Sequence, residues 1–253
     1  LCGLAQYEDV VALLTAARRG LGPMLSAFEV MWADYWHEAT VTVPNVRRPI
    51  SGEHAYYVLI EMQGMDAALD APRFETWLEA QFEAGLIEDA AIAQSMADIA
   101  AFWRVRDVAG ELASVLGQYT AFDIGLPVGA MDDFARECRA ALTAALPGCL
   151  SLYYGHIGDG NMHIVALVPG SAQHPGKQIS EIVYRTVKGY DGTISAEHGI
   201  GLVKKPYLPL SRTAGELALM RRLKQALDPQ GVLNPGKVFD MLPETDTHQE
   251  DAP

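Results

Sequence analysis

A glycine-rich turn between two apolar segments limits the folds open to this chain more than any other feature. Residues 150–154 and 162–168 are rich in aromatic and branched side chains, as strands usually are. The Gly-Asp-Gly sequence between them is a strong signal for a β-hairpin. The hairpin implies an antiparallel pair of strands, and its turn brings side chains from both strand ends to one edge of the sheet.

Helical patterns surround the hairpin and two further strands. The elements run strand, long helices, strand, helix, hairpin, helix, without the βαβ rhythm of a nucleotide-binding sheet. The predicted fold class is therefore α+β, with helices laid on an antiparallel sheet. The predicted helices are residues 9–19, 26–36 capped by Ser26, 73–84, 89–117, 131–146, 177–188 and 211–227 capped by Ser211, and the further extended segments are 55–62, 121–127 and 193–195.

The composition disfavours several classes of protein. A net charge of −13 makes nucleic acid a poor partner, because such a surface repels phosphates. No apolar run approaches the roughly 20 residues of a transmembrane helix, and no signal peptide is visible. The 3 cysteines include no CxxC pair, so a disulfide framework is not expected, and Cys138 is predicted to be a core thiol.

The two ends of the chain give further expectations. The first residue is Leu1 rather than Met, which suggests a piece of a longer polypeptide. Residues 241–253 carry acidic side chains between prolines and are expected to form a solvated, disordered tail.

Two glycine-flanked histidines and a glutamate offer the ligands of a metal site. His156 follows the first hairpin strand, His163 lies just inside the second, and Glu197 precedes another glycine-rich stretch. Imidazole nitrogens and a carboxylate oxygen suit zinc, manganese or iron, with positions left open for substrate. The alternative is a set of hydrogen-bonded structural histidines, and the clustering favours the metal site over it.

His198 directly follows the proposed ligand Glu197. On extended backbone, neighbouring side chains point to opposite sides, so one could hold metal while the other faces the reacting bond. An imidazole titrates near neutral pH and can take a proton from an alcohol. The alternative is a glycine-rich turn in which His198 only bonds the backbone.

Basic residues elsewhere give weaker signals. Arg106 lies on a predicted helix, and its planar fork would suit a substrate carboxylate. An ordinary helix salt bridge is the simpler interpretation from the residues alone. For Lys204 and Lys205, a solvated turn is favoured over an anion-binding patch.

Three motifs in order carry a resemblance to a known family. They are GHIGDGNMH at residues 155–163, SAEHGIG at 195–201 and LDPQGVLNPGKV at 227–238. Residues 103–106 and 123–127 fit the same pattern. The chain resembles the C-terminal half of FAD-linked oxidases in the vanillyl-alcohol oxidase superfamily. The group concerned contains D-lactate and D-2-hydroxyglutarate dehydrogenases and the D subunit of glycolate oxidase.

The resemblance implies a domain organisation and residue roles. Residues 1–200 would form a ferredoxin-like α+β cap over the flavin, and residues 201–240 a helical segment that contacts the flavin domain. The substrate would be bound by the metal and by an arginine, and a histidine would remove its hydroxyl proton. The implied roles are a divalent metal, usually zinc, held by His156, His163 and Glu197, the base His198, the carboxylate-binding Arg106, and Asn234 near the flavin.

The implied function is that of the substrate- and metal-binding C-terminal portion of an FAD-dependent D-2-hydroxy acid dehydrogenase. Such an enzyme oxidises the 2-hydroxy acid to the 2-oxo acid by hydride transfer to FAD. FAD is expected from a missing N-terminal domain or from a partner subunit, so the chain alone should not turn over. Gly110, Ala121 and Val165 stand where hydroxyglutarate enzymes carry polar residues, which favours a smaller acid such as lactate or glycolate.

Other properties and other classes of function stay open from the sequence. The electron acceptor is unspecified, a homo-oligomer is allowed, and the expected location is cytoplasmic or peripheral to the inner membrane. One alternative function is a flavin-independent metal enzyme that uses the two-histidine, one-carboxylate site. Another is a non-catalytic module of the same fold.

Overall fold

The computed structural model of the protein describes residues 1–241 and shows helices on both faces of an antiparallel sheet. The elements are β1 (Cys2–Leu4), α1 (Tyr7–Gly20), β2 (Leu25–Trp32), α2 (Ala33–His37), β3 (Tyr56–Met62), α3 (Ala67–Glu83), β4 (Asp89–Ala90), α4 (Met96–Asp107), α5 (Leu112–Leu116), β5 (Thr120–Gly125), α6 (Met131–Ala145), β6 (Leu150–Gly155), β7 (Asn161–Leu167), α7 (Gly176–Gly189) and α8 (Ala214–Leu227). The strand order is β4-β1-β3-β2-β6-β7-β5, and every neighbouring pair is antiparallel. The predicted α+β class is confirmed.

The predicted hairpin is formed by β6 and β7, and glycine makes its turn possible. Gly155 has a φ of 150°, and a Cβ atom there would meet the Asn161 carbonyl oxygen at 2.7 Å. Gly160 closes the turn with a φ of 83°, in the region that favours glycine. The register pairs His163 with Tyr154 on β6 and with Asp123 on β5, so these three residues lie side by side across the sheet.

Alternate residues of the strands supply two separate cores. Met162 and Ile164 pack on the face covered by α1, α6 and α7, while Val165 packs on the face covered by α2, α4 and α5. His163 and Asp123 therefore face the layer of α2, α4 and α5. The site described below lies at the end of this face, beside the β6–β7 turn.

The prediction of a helix from Ser26 to Trp36 is wrong. Residues 25–32 form β2, which pairs with β3 through seven residue positions, and α2 begins only at Ala33. Tertiary pairing outweighs the local helical pattern here, because β2 lies inside the sheet between β3 and β6.

Other elements near the N-terminus, before α4 and at the start of α8 also differ from the predictions. The N-terminal strand β1 has no predicted counterpart, and residues 89–90 are a short strand rather than the start of a helix. Ser95 caps α4, which begins at Met96. The last helix is capped not by Ser211 but by Thr213, whose side chain and that of Glu216 form a reciprocal capping box.

Within residues 1–241, no helix is both long and apolar enough to cross a membrane. All three cysteines are free, and Cys138 is buried in the core as predicted. The acidic tail predicted for residues 241–253 lies, apart from Met241, outside the described residues.

Candidate active site

The three predicted ligands come together at the β6–β7 turn. One ligand atom each from His156, His163 and Glu197 lies within 4.8 Å of the others. The Glu197 Oε1 atom is 3.7 Å from His156 Nε2 and 3.9 Å from His163 Nε2. The hairpin supplies both imidazoles, and the loop after Thr193 brings in the carboxylate.

The His156 ring is oriented by a neighbour in the same turn. Its Nδ1 atom lies 2.8 Å from Oδ1 and 3.0 Å from Oδ2 of Asp159. A carboxylate accepts the proton of this nitrogen, so Nε2 keeps its lone pair and faces the ligand cluster. The same carboxylate–histidine arrangement orients imidazoles in metal sites.

His163 is the buried ligand of the set. Its ring centroid lies 5.1 Å from that of Tyr154 and 5.3 Å from that of His156. Burial, followed by the positive charge of Arg106, lowers the pKa of the His163 imidazole to about 4. The ring is therefore neutral at neutral pH, which is the form that binds a metal.

Asn161 leaves a polar atom without a partner beside the cluster. Its side-chain nitrogen is placed 3.2 Å from His156 Nε2. The Asn161 Oδ1 atom is buried and has no hydrogen-bond partner among the described residues. A buried orphan oxygen at this point leaves room for a polar group that the protein itself does not supply.

The loop that carries Glu197 is held by Asp123 on β5. The Asp123 carboxylate, with 1% of the residue exposed, accepts backbone N–H bonds from Glu197 at 3.2 Å and His198 at 2.9 Å. Burial alone would raise the pKa of this carboxyl, but these donors and Lys204 outweigh it and lower the pKa to about 2. The carboxylate is therefore charged at any physiological pH.

His198 lies on the same side as Glu197, so the prediction of opposite sides is wrong. Its Nε2 atom is 3.5 Å from Glu197 Oε1, and its ring centroid is 6.1 Å from that of His163. The chain bends through residues 196–198 instead of running extended, which explains the difference. The imidazole is 65% exposed and can meet an incoming molecule.

Lys204 lies on a turn, as predicted, but its side chain is not solvated. Its side chain is only 12% exposed, and Nζ lies 3.3 Å from Asp123 Oδ2 and 2.9 Å from Ser195 Oγ. Lys205 instead donates to the Gly236 carbonyl at 2.8 Å. Both lysines are therefore bound within the fold.

Arg106 lies at the end of α4 and is held by a buried carboxylate. Its Nε atom donates to Glu29 Oε2 at 2.8 Å, and its guanidinium carbon lies 5.7 Å from the centre of the Tyr154 ring. The Nη2 atom has no hydrogen-bond partner among residues 1–241. Because Tyr154 also adjoins His163, Arg106 lies near the ligand cluster, and its Nη2 group can still donate hydrogen bonds.

Asn234 lies apart from these residues. It has a φ of 45°, is exposed, and accepts the N–H of Lys237 at 3.2 Å. No hydrogen bond or ion pair among the described residues joins it to the ligand cluster. Its predicted place near a flavin stays a prediction.

The donor set fits a divalent metal ion. Two imidazoles and a carboxylate converge, one ring oriented by Asp159, and an orphan oxygen of Asn161 lies beside them. Three protein ligands with open positions are the arrangement of catalytic rather than structural sites. An ion held there would have open positions for a further ligand next to the exposed imidazole of His198.

Sequence reasoning missed the residues that support the ligands. Asp123 was noted only as part of a family pattern, and the pairing of Glu29 with Arg106 was not anticipated. The alternation of β5 could have shown that Asp123 faces away from Phe122 and Ile124. The sequence offered no signal for its partners, which lie 72 to 81 positions away.

The chain is similar to known flavin-linked enzymes. The family described as "FAD linked oxidases, C-terminal domain" matches residues 1–238. A D-2-hydroxyglutarate dehydrogenase of Xanthomonas citri pv. viticola is 36% identical over 247 residues, covering 95% of this chain and 51% of that protein. The mitochondrial D-2-hydroxyglutarate dehydrogenase of Arabidopsis thaliana is 35% identical, covering 92% of this chain and 41% of that protein.

A solved structure shows the same fold. The isoeugenol complex of 4-ethylphenol oxidase from Gulosibacter chungangensis matches with a TM-score of 0.64 over 96% of this chain and 53% of that one. At 14% sequence identity, this likeness speaks for the fold alone. The chain spans about half the length of the proteins it matches.

Proposed function

Because the chain belongs to the family of FAD-linked oxidase C-terminal domains, we propose that it binds substrate and metal for a D-2-hydroxy acid dehydrogenase. The observation that carries the proposal is the convergence of His156, His163 and Glu197 beside the exposed imidazole of His198. The proposed reaction converts a 2-hydroxy acid to the 2-oxo acid, with FAD as the hydride acceptor.

The proposed metal site uses the three converging ligands. His156 and His163 contribute Nε2, and Glu197 contributes Oε1. A divalent cation there, zinc in our proposal, would supply Lewis-acid polarisation of the 2-hydroxyl group. The neutral state of His163 and the fixed orientation of His156 support this assignment, because a ligand imidazole needs a free lone pair.

The remaining chemistry at the site is assigned to two side chains. His198, exposed beside the ligand cluster, takes the hydroxyl proton of the substrate. Arg106 binds the substrate carboxylate through Nη2, while Glu29 fixes the orientation of the guanidinium through Nε. The hydroxyl group and the carboxylate, on neighbouring carbon atoms of the 2-hydroxy acid, are thereby held in one orientation.

The surface next to the site favours a small acid. Ala121 on β5 pairs with Val165 on β7, two residues from the pair formed by Asp123 and His163. All four lie on the same face because strand side chains alternate. Neither Ala121 nor Val165 can bind a second carboxylate, and we propose lactate or glycolate as the substrate in preference to a dicarboxylate such as 2-hydroxyglutarate.

The flavin-bearing partner is proposed to dock on the C-terminal segment. Leu219, Leu223 and Leu227 recur every four residues along α8 and are exposed, as are Val232 and Leu233 after it. An apolar stripe of this kind usually faces another surface. We propose that residues 201–240 contact the flavin domain, with Asn234 close to FAD.

Two other functions are less well supported. A flavin-independent metal enzyme would need the same ligands, but it would give no reason for the exposed leucine stripe or for the family membership. A non-catalytic module would not need an exposed imidazole beside a complete ligand set.

Turnover by the full-length protein tests the proposal directly. Reduction of an artificial dye acceptor is measured with D-lactate, glycolate and D-2-hydroxyglutarate, and with L-lactate as the stereochemical control. Metal content is measured by mass spectrometry on the same preparations. We expect turnover of D-2-hydroxy acids, about one metal ion per chain, and no turnover with L-lactate.

Variants separate the metal from the base. Glu197→Ala should lose the metal together with turnover, whereas Glu79→Ala, an exposed glutamate on α3, should change neither. His198→Ala should keep the metal and lose most turnover, about 10²- to 10⁴-fold for a general base. Full metal content in Glu197→Ala would refute the ligand set, and near-normal turnover in His198→Ala would refute the base.

A further inference from the structure

We propose that Asp123 is a positioning residue that sets the distance between Glu197 and the two histidine ligands. The inference rests on the proposed metal site and adds to it a residue that touches neither substrate nor metal. Asp123 acts through the backbone of the loop that carries Glu197 and His198.

Asp123 holds this loop through both its carboxylate and its backbone oxygen. It accepts the N–H of Glu197 at 3.2 Å and that of His198 at 2.9 Å, and Ser195 Oγ lies 3.2 Å from Oδ2. The Asp123 backbone oxygen also accepts the N–H of Ala196 at 3.3 Å. One residue therefore binds four consecutive positions of the loop.

Lys204 also binds both Asp123 and the loop. Its Nζ atom lies 3.3 Å from Asp123 Oδ2 and 2.9 Å from Ser195 Oγ, and its side chain is nearly buried. A buried carboxylate needs such a partner, because an unpaired charge in this position would be costly. The start of the loop, at Ser195, is thus held by a strand carboxylate and by the lysine that pairs with it.

The position of Asp123 in the sheet connects the loop to the ligands. Asp123 pairs with His163 in the register of β5 and β7, so the anchor and a ligand lie on neighbouring strands. Backbone bonds of 2.9 and 2.8 Å between Gly125 and Thr193 fix the start of the loop to the same strand. Any movement of the loop relative to β5 therefore changes the distances from Glu197 Oε1 to His156 and His163.

An amide in place of the carboxylate isolates this effect. Asp123→Asn keeps the size of the side chain but removes its charge and turns one acceptor into a donor that faces N–H groups. We expect the Zn²⁺ dissociation constant of the full-length protein to rise about 10- to 100-fold, the usual effect of losing a residue that orients metal ligands. Amide hydrogen exchange at Glu197 and His198 should become at least about tenfold faster.

Asp132 offers a matched control. Its carboxylate accepts from Trp32 Nε1 at 3.0 Å, Tyr56 Oη at 2.7 Å and Arg136 Nε at 3.0 Å, and it lies on α6 away from the loop. Asp132→Asn should destabilise the fold to a comparable degree. Its Zn²⁺ affinity and the exchange of the loop amides should stay at the values of the unaltered protein.

Lys204 variants provide a second route should Asp123→Asn fail to fold. Lys204→Met should also raise the Zn²⁺ dissociation constant. Lys204→Arg, which keeps the charge, should raise it less. Replacement of zinc by Co²⁺ adds a visible absorption spectrum that reports coordination geometry, and this spectrum should change in the weakened variants.

The outcomes distinguish the two proposals. Absence of Zn²⁺ binding by the unaltered protein would overturn the proposed metal site, and the positioning role with it. Unaltered Zn²⁺ affinity and Co²⁺ spectrum in folded Asp123→Asn would overturn the positioning role alone, whatever the amide exchange shows. Faster exchange with weaker, spectrally altered metal binding would support it.

Discussion

Glu29 and Arg106 form a largely buried ion pair, in which Nε of the arginine donates to Oε2 of the glutamate at 2.8 Å. The pair joins the middle of β2 to the end of α4. Within residues 1–241, it leaves Nη2 of Arg106 free to donate hydrogen bonds to another group. The guanidinium lies over the Tyr154 ring. The carboxylate of Glu29 thus orients the arginine without occupying the whole of its donor fork.

The first prediction concerns this pair. Glu29→Ala should destabilise the protein by about 2 kcal/mol, because it removes the buried partner of a largely buried cation and leaves it, among the described residues, only the exposed carboxylate of Asp107. It should also raise the KM for the 2-hydroxy acid more than it lowers kcat, since Arg106 is proposed to bind the ground-state carboxylate. Urea denaturation and steady-state kinetics of the full-length protein measure the two effects.

A second ion pair on α4 supplies the control for Glu29. Arg104 and Glu111 pair on the exposed side of the helix and its following turn. Glu111→Ala should leave the stability close to that of the unaltered protein, because exposed pairs contribute little. An equal loss in Glu29→Ala and Glu111→Ala would mean that the burial of the first pair does not matter.

The second prediction is a pH dependence of stability from Asp123. Its pKa is lowered to about 2 in the folded protein, against an ordinary value near 4 in the unfolded chain. A carboxyl with a depressed pKa adds stability above the unfolded value and loses it as the pH falls through the folded value. The contribution at neutral pH is on the order of 2 kcal/mol, by the same relation.

Metal-free protein is the form in which to measure this dependence. In the presence of a chelator, the stability difference between the unaltered protein and Asp123→Asn should be constant above about pH 5. It should shrink between about pH 4 and pH 2. A difference that persists unchanged at pH 2 would show that the charge of Asp123 is not what stabilises the loop.

The third prediction compares two hydroxyl residues at the start of α8. Thr213→Ala should cost about 1 kcal/mol, because Thr213 and Glu216 cap the helix reciprocally. Ser211→Ala should be neutral or slightly stabilising, since its buried Oγ has no hydrogen-bond partner among the described residues. Thermal denaturation of the two variants decides which residue is the cap.

This comparison illustrates what local sequence information can and cannot determine. The β6–β7 hairpin and the approach of His156 to His163 were predictable, because the turn that joins the two strands is only a few residues long. The choice of Thr213 over Ser211 depends on where the backbone of α8 becomes helical, and either residue fits the local pattern.

Longer-range features escaped prediction for a physical reason. Residues 25–32 form β2 rather than the predicted helix because they pair with residues 56–62. A prediction from local sequence does not include the energy of pairing with a segment so far along the chain. The anchoring role of Asp123 likewise depends on Glu197, His198 and Lys204, all more than 70 positions away. Local patterns could identify the candidate ligands but not the residues proposed to hold them in place.

The fourth prediction tests the proposed preference for a small acid. Ala121 is exposed on the face that carries His163, and its partner Val165 is apolar. Ala121→Lys would place a cation beside the substrate and should raise kcat/KM for D-2-hydroxyglutarate relative to D-lactate about tenfold, equivalent to about 1.4 kcal/mol. The ratio of the two kcat/KM values in the full-length protein is the measurement.

A lysine elsewhere on the surface shows whether the effect is local. Ala144 is exposed on α6, which covers the opposite face of the sheet, so Ala144→Lys changes the net charge by the same amount. That variant should leave the kcat/KM ratio unchanged, because a distant exposed charge is screened by salt. An unchanged ratio in Ala121→Lys, or an equal change in Ala144→Lys, would mean that the Ala121–Val165 surface does not select the substrate. A selective gain in Ala121→Lys alone would place the distal end of the substrate against this pair of strands.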